Sequence, residues 1–333
     1  MSFRALVTQK AEDGSVTNSV ETLDDSRLPE GNVTVDIDWA DLNYKDGLCL
    51  TGQGGLVRTF PHVAGIDFAG TVRDSSDGRY RAGDPVVLTG WRVGETHWGG
   101  FSERARVNGD WLVPLPKGLS TRDAMVVGTA GLTAMLAIIR LESEGLTPSS
   151  GEVLVTGASG GVGSIAISIL ARLGYTAVGL SGRPENSPAL IALGAARTLD
   201  RAEFLAEPDK PLEPTRWAGV IDCVGGNVLG KVLKQVKYGG SVAALGNTAG
   251  VGLSTNVLPF LLRGVNLLGI DSVMQPYEKR IAAWQRVAEL FDISAYASLV
   301  EEVSLEALPE AANRILKGEV RGRVLVNPKP ITR

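Results

Sequence analysis

The 333-residue chain is poor in the residues that bind metals and form bridges: it has two cysteines and two histidines. Cys49 and Cys223 lie far apart, each in a mainly apolar stretch, which argues against a disulfide framework and fits a reducing compartment. A zinc site needs about four converging Cys, His or carboxylate ligands, and structural sites show closely spaced cysteines, so no metal is expected. His62 and His97 stand in turn-rich segments beside Pro61 and Gly99 and read as surface or hydrogen-bonded residues. No apolar stretch approaches the ~20 uncharged residues of a membrane-spanning helix, and the start, MSFRALVTQK, lacks the apolar segment of a signal peptide. The reading is a cytoplasmic protein without a membrane partner. Lys and Arg are scattered and the formal charge is −4, so no basic stripe is available to track nucleic acid. No repeat of fixed period occurs, which excludes solenoids and propellers.

What is present divides into two patterns. Up to about residue 120, short runs such as RALVTQK, NVTVDIDWADLN and DPVVLTG alternate apolar with polar residues between Gly, Asp and Pro turns, the pattern of a mostly antiparallel sheet system. From Thr121, a plausible N-cap, TRDAMVVGTAGLTAMLAIIRLESEG has helical spacing that stops at Gly145. Near-continuous apolar strands then alternate with helices, as in EVLVTGA, TAVGLS, AGVIDCV, SVAALG and VNLLGID, which predicts a doubly wound parallel sheet. A closing strand, RVLVN, can rejoin the first sheet. The expected class is α/β, with one domain from 1–121 and 297–333 and a second from 122–296.

VLVTGASGGVGSIAISILARLG carries Gly157, Gly160 and Gly163 between an apolar strand and an apolar helix. Small residues there let the backbone approach a pyrophosphate at a helix N-terminus, so Ser159, Gly160, Gly161, Val162 and Gly163 form a dinucleotide loop. An NAD site usually adds Asp or Glu about twenty residues on, to hold the ribose hydroxyls. This chain has Ser181-Gly182-Arg183 instead and no acid between Gly163 and Arg183. Losing the carboxylate removes repulsion against a 2′-phosphate, and Ser181 and Arg183 supply donors, with Arg201 placed to close over the same group. The expected cofactor is NADPH.

DLNYKDGL, PHVAGIDFAGTV, GDPVVL, GGFSERARV, GTAGLTA and the loop at 157–163 occur in the order found in the medium-chain dehydrogenase/reductase superfamily, which the chain resembles over essentially its whole length. That resemblance implies a GroES-like mostly antiparallel β domain followed by a Rossmann domain. DLNYKDGL, VTGASGGVGS and LSGRPE are most similar to the zinc-lacking quinone-oxidoreductase-like branch and its acryloyl-CoA reductase subfamily. Zinc-dependent members have Gly-His-Glu where this chain has Gly65-Ile66-Asp67, so the ligand histidine is replaced by Ile66. The resemblance implies NADPH-dependent reduction of the conjugated double bond of acryloyl-CoA to propanoyl-CoA, without zinc.

Such chemistry requires donors near the thioester oxygen and a proton for the α-carbon. By the resemblance Tyr44 faces the nicotinamide and gives a proton or hydrogen bond, or packs there while water supplies the proton; Asn43 is a carbonyl donor and Asp46 an orienting group. Leu245, Ile270, Ser272 and Asn327, at strand ends, complete the nicotinamide surroundings. Coenzyme A phosphates call for Lys or Arg at the domain cleft, with Arg92, Arg263, Arg280 and Arg323 as candidates. The relatives pair edge strands into homodimers, and VNLLGID is apolar enough to be such an edge. Asp67, a charge in the apolar run HVAGIDFAGTV, must be paired if buried; an arginine, 321 or 323, or backbone N–H groups are the expected partners. Two alternatives stand beside the small-molecule reductase reading: a quinone or enone oxidoreductase, and a noncatalytic NADPH-binding redox sensor.

Overall fold

The computed structural model describes residues 1–330; 331–333, the end of the segment assigned to the first domain, lie outside the described residues. The chain forms two compact units. One comprises Met1–Thr129, Val273–Ala288 and the segment from Ala297 onward, the other Ala130–Ser272 and Glu289–Tyr296.

In the first unit, eight strands precede residue 115: β1 (Ser2–Lys10), β2 (Val16–Asp24), β3 (Val33–Leu42), β4 (His62–Val63), β5 (Asp67–Ser75), β6 (Pro85–Thr89), β7 (Arg104–Val107) and β8 (Leu112–Pro114). β1 pairs antiparallel with β2 and β4. The larger sheet runs β15-β16-β3-β5-β6-β8, with β7 on β3, where β15 is Val300–Ser304 and β16 is Arg323–Asn327. RVLVN therefore does return to the first sheet, antiparallel to β3. The alternation read from sequence buries Val35, Ile37, Phe68, Leu88 and Phe101 in one core. Register decides what meets beyond that core. Phe68 stands opposite Ala40 and Val324 opposite Leu42, so the next positions along these strands bring Asp67 level with Asp41 and Arg323 level with Asn43. Helix α1 (Tyr44–Thr51) starts at that point.

Val273–Ala288 also belongs to this unit, whereas the sequence reading divided the chain at 121/122 and 296/297. Arg280 explains the attachment: its guanidinium donates to the Thr89 carbonyl and hydroxyl, both at 2.8 Å, and stacks over Trp91.

Helix α2 (Thr121–Ser143) is capped by Ser120, one residue before the expected Thr121, because Ser120 and Asp123 bond reciprocally: each side chain accepts the other's backbone N–H. It is long and apolar enough to cross a membrane by length and composition alone, but most of its apolar window is buried. Glycine at 128, with φ 50° and ψ −160°, breaks its helical conformation.

The second unit is a six-stranded parallel sheet. Its strands are β9 (Glu152–Thr156), β10 (Thr176–Ser181), β11 (Arg197–Asp200), β12 (Trp217–Asp222), β13 (Val236–Ala244) and β14 (Asn266–Gly269), in the order β11-β10-β9-β12-β13-β14. Helices α3 (Gly161–Arg172), α4 (Ser187–Ala192), α5 (Arg201–Ala206), α6 (Gly226–Leu233) and α7 (Leu258–Arg263) lie in the connections. Numbered within the sheet this is 3-2-1-4-5-6, whose order reverses between β9 and β12, where dinucleotides bind.

Candidate active site

The loop from β9 to α3 is shaped by its glycines. Gly157 has φ +60°, and a Cβ there would meet Val224 Cγ1 at 2.9 Å. On Gly163 a Cβ would stand 2.5 Å from the Gly157 carbonyl oxygen and 2.7 Å from Ala158 Cα, so only glycine lets α3 sit this close to the strand. Gly160 is the N-cap of α3, and Gly160, Gly161 and Val162 are partly open to solvent. This is a backbone cradle at a helix N-terminus, matched to a pyrophosphate.

At the end of β10, Ser181 is buried and its hydroxyl lies 3.1 Å from that of Ser159. The same hydroxyl accepts the Arg183 N–H at 3.1 Å, so the serine shapes the turn that carries the arginine. Arg201 follows β11 and comes back over this turn: a Cβ on Gly182 would lie 2.6 Å from Arg201 Nη2. The Arg201 guanidinium and the hydroxyls of Ser159 and Ser181 thus lie at the turn that carries Arg183, at the end of β10 where an NAD site would hold a carboxylate. Asp200, the nearby acid, is spent on capping α5, accepting the N–H groups of Ala202 and Glu203 at 2.7 and 3.0 Å. Leu245 and Ile270 follow the carboxyl ends of β13 and β14, where Leu245 N–H donates to Asp222 O and Ile270 N–H to Ala244 O, both at 3.0 Å; Ser272 lies two residues further on. Sequence reading passed over Asp222, the buried end of β12. It accepts the Thr156 hydroxyl at 2.6 Å and the Gly225 N–H at 2.8 Å, fixing the loop backbone, and burial raises its pKa.

The first unit gathers the other candidates. Tyr44, at the start of α1, is 40% exposed. Asn43 is not free to act as a carbonyl donor: its Nδ2 donates to Asp41 Oδ1 at 2.5 Å and to Asp67 Oδ2 at 3.0 Å. An amide nitrogen has two hydrogens, and both are used. Its Oδ1 in turn accepts from Arg323 Nη1 at 3.2 Å. Asp46 is buried and accepts the backbone N–H of Asn43 and of Ile66, both at 2.8 Å. Burial is the main reason its carboxyl is raised to about 7; the Asn43 N–H partly opposes this and the Asp67 charge adds to it.

Asp67 is fully buried and accepts the backbone N–H and the hydroxyl of Thr129, each at 2.6 Å. The expected backbone donor exists. Of the two arginines considered for Asp67, Arg321 is exposed and Arg323 is bound by Asp41, a residue the sequence reading had not singled out. Asp41 is fully buried, which raises its carboxyl above the ordinary range, opposed by the Arg323 charge. The signal for Asp41 was present as a charge at the end of the apolar strand VTVDIDWADL, but only the strand pairing shows which charges face one another. Asn327 ends β16, where its side chain accepts the Lys329 N–H.

Three of the four arginines considered for coenzyme A are committed elsewhere. Arg280 is buried against Thr89, Arg323 is buried with Asp41, and Arg263 donates to the carbonyls of Glu213 and Lys234 at 2.6 and 2.8 Å. Arg92 remains exposed, in a left-handed backbone turn with Trp91. The histidines face carbonyls, His62 that of Gly94 at 2.9 Å and His97 that of Arg106 at 2.8 Å; His62 is buried, not a surface residue. Among the described residues, no group of three or more His, Cys, Asp or Glu is arranged to hold a metal ion.

A GroES-like β unit with a Rossmann unit bearing a glycine cradle defines a nucleotide-dependent oxidoreductase of the alcohol dehydrogenase type. The comparisons agree: residues 29–117 match the alcohol dehydrogenase GroES-like domain and 161–291 the zinc-binding dehydrogenase family. The chain is 56% identical to acrylyl-CoA reductase AcuI of Ruegeria pomeroyi over 98% of its own length and 99% of that protein's. It belongs to the medium-chain dehydrogenase/reductase superfamily, with the quinone-oxidoreductase-like fold. Among solved structures, the yhdH oxidoreductase from Salmonella enterica in complex with NADP superposes with a TM-score of 0.95 at 52% identity, covering 99% of this chain and 100% of that one. Bacillus subtilis yhfP, solved with NAD bound, gives 0.94 at 44% identity over 98% and 99% of the two chains.

Proposed function

We infer that this chain is an NADPH-dependent acryloyl-CoA reductase, converting acryloyl-CoA, NADPH and a proton to propanoyl-CoA and NADP⁺. The observation that carries the reading is the 56% identity to an acrylyl-CoA reductase across nearly all of both chains. The glycine loop at the N-terminus of α3 and the turn of Ser181 and Arg183 under Arg201 support this cofactor, and we assign Ser181, Arg183 and Arg201 to its 2′-phosphate.

When bound, NADPH supplies the hydride. The chain's own tasks are to hold the pyrophosphate on the N–H groups at 160–163, to hold the 2′-phosphate on Arg183 and Arg201, and to manage charge and proton at the substrate. Leu245, Ile270, Ser272 and Asn327 are the side chains we assign to the nicotinamide surroundings. Tyr44 is assigned the hydrogen bond or proton at the thioester enolate, since its phenol is exposed while the adjacent amide of Asn43 is consumed by Asp41 and Asp67. Arg92 is the arginine assigned to coenzyme A phosphate, as the one of the four candidates that is exposed. Ile66 in place of a histidine supports chemistry without zinc, and two unbridged cysteines support a cytoplasmic setting.

NADPH oxidation by the purified protein should be fastest with acryloyl-CoA in a panel that includes crotonyl-CoA and simple quinones. Turnover confined to quinones would sink the assignment, and NADPH binding without any turnover would point to a sensor. We also propose a homodimer formed through β14, the sheet edge, which exposes Leu267 beside the outward Leu261 and Leu262 of α7. Sedimentation should show a dimer for the wild type and a monomer for Leu267→Lys; a wild-type monomer refutes it.

A further inference from the structure

We propose that Asp46 is a positioning residue for Tyr44, acting through Asn43, and that Asp41, Asp67 and Arg323 complete a single buried clamp on that turn. The proposal rests on the reductase reading above and deepens it.

An acid at the third position of a helix commonly reaches back to the N-cap N–H, and it does so from the solvent side at little cost. Asp46 does it fully buried, where a carboxylate loses its hydration. What burial adds is the second bond, to the Ile66 N–H, which ties the start of α1 to the residue before β5. Two segments twenty residues apart are thereby held at one fixed separation by the two oxygens of one carboxylate.

Asn43 is gripped from the other side. Asp41 and Asp67 take its two amide hydrogens and Arg323 donates to its oxygen, so the side chain can neither rotate nor flip without losing a charge-assisted bond. Asp67 is itself fixed by Thr129, and Arg323 also donates to the Val126 carbonyl at 3.1 Å. The far face of α1 is closed as well, because a Cβ on Gly47 would touch Ile315 Cγ2 at 3.0 Å. Lys45 is drawn aside by Glu95 at 3.0 Å. Tyr44 is left as the exposed side chain on a turn whose neighbouring residues are all tied down. A turn that needed only stability would be better served by apolar packing than by three buried carboxylates, of which Asp41 is the one ion-paired to Arg323. Orientation of the phenol is what this arrangement supplies.

The test measures kcat and KM with acryloyl-CoA, and NADPH affinity by fluorescence, for Asp46→Asn, Asn43→Ala and Tyr44→Phe, singly and paired with Tyr44→Phe. Misplacing a reacting group by about 1 Å costs up to roughly 100-fold in rate, so each clamp variant should lower kcat by about 10- to 100-fold. NADPH affinity should stay within about twofold, and adding Tyr44→Phe should cost little more, because the clamp works through that side chain. Wild-type kcat in folded Asp46→Asn or Asn43→Ala overturns the proposal, as do losses that multiply with Tyr44→Phe. Should Asp46→Asn fail to fold, the Asn43→Ala cycle decides. Wild-type turnover of quinones but not acryloyl-CoA overturns the substrate reading alone, and the same cycle is then run with a quinone; no wild-type turnover of any conjugated acceptor overturns both.

Discussion

Gly182 and Arg183 are the two-residue stretch to which we assign the choice of cofactor. The missing acid was readable in sequence, and so was the arginine; that Gly182 lacks a Cβ so that Arg201 can lie over the turn was not, since those residues are joined only by the pairing of β10 with β11. Charge-assisted hydrogen bonds contribute about 1.5–3 kcal/mol, so Arg183→Ala should weaken NADPH binding by roughly 10- to 150-fold. NADH, without the 2′-phosphate, should be held as before. Equal losses in titrations with the two nucleotides would refute the phosphate role. Asn43 is the opposite case at the same scale. Its place before Tyr44 suggested a donor to substrate, and three hydrogen bonds, one with Asp41 two residues back and two with Asp67 and Arg323 on other strands, withdrew it from that role.

At the scale of elements, the interruption of α2 at Gly128 had no signal beyond a pair of glycines, 128 and 131, in an apolar helix, and nothing marked which of them breaks it. Its cause is tertiary: a Cβ at 128 would run into Asp41 Oδ2 and Arg323 Nη2 and lie 2.9 Å from Asp67 Oδ2. The break allows the Thr129 N–H to turn onto Asp67. Gly128→Ala combines an unfavourable φ with this collision and should destabilise the protein by about 2–4 kcal/mol in urea unfolding. A loss below about 0.5 kcal/mol, the scale of an indifferent surface change, would show that the clamp tolerates displacement. The loop from β9 to α3 was far more legible, because strand, glycines and helix are contiguous and Gly160 and Gly163 face the loop itself, although Gly157 faces Val224 from beyond β12.

For the whole molecule, buried carboxylates set the pH response. Asp46 titrates at about 7 in the fold against an ordinary 3.8, so the folded state keeps a proton that the unfolded chain releases. Its contribution is fully present below about pH 4 and is lost as pH rises through about 7. Burial shifts Asp41 and Asp222 the same way. Urea unfolding should show stability falling across that window, by on the order of 4 kcal/mol at most from Asp46. Asp46→Asn should flatten the fall, and an identical slope in wild type and variant would rule out Asp46 as its source. Exposed carboxylates with lowered values, such as Asp13 beside the Ser15 hydroxyl, work in the opposite direction but are screened by solvent.

By itself the sequence determined the α/β class, the return of RVLVN to the first sheet, the glycine loop between β9 and α3 and the presence of Arg183 where an acid is usual. Each of these rests on the period of an apolar pattern or on residues adjacent in the chain, and local physics reads both. The partners of Asp67, the withdrawal of Asn43, the clamp on Tyr44 and the commitment of Arg263, Arg280 and Arg323 were decided only by tertiary structure. A buried charge announces that it must be paired; which strand supplies the pair depends on register between segments far apart in the chain.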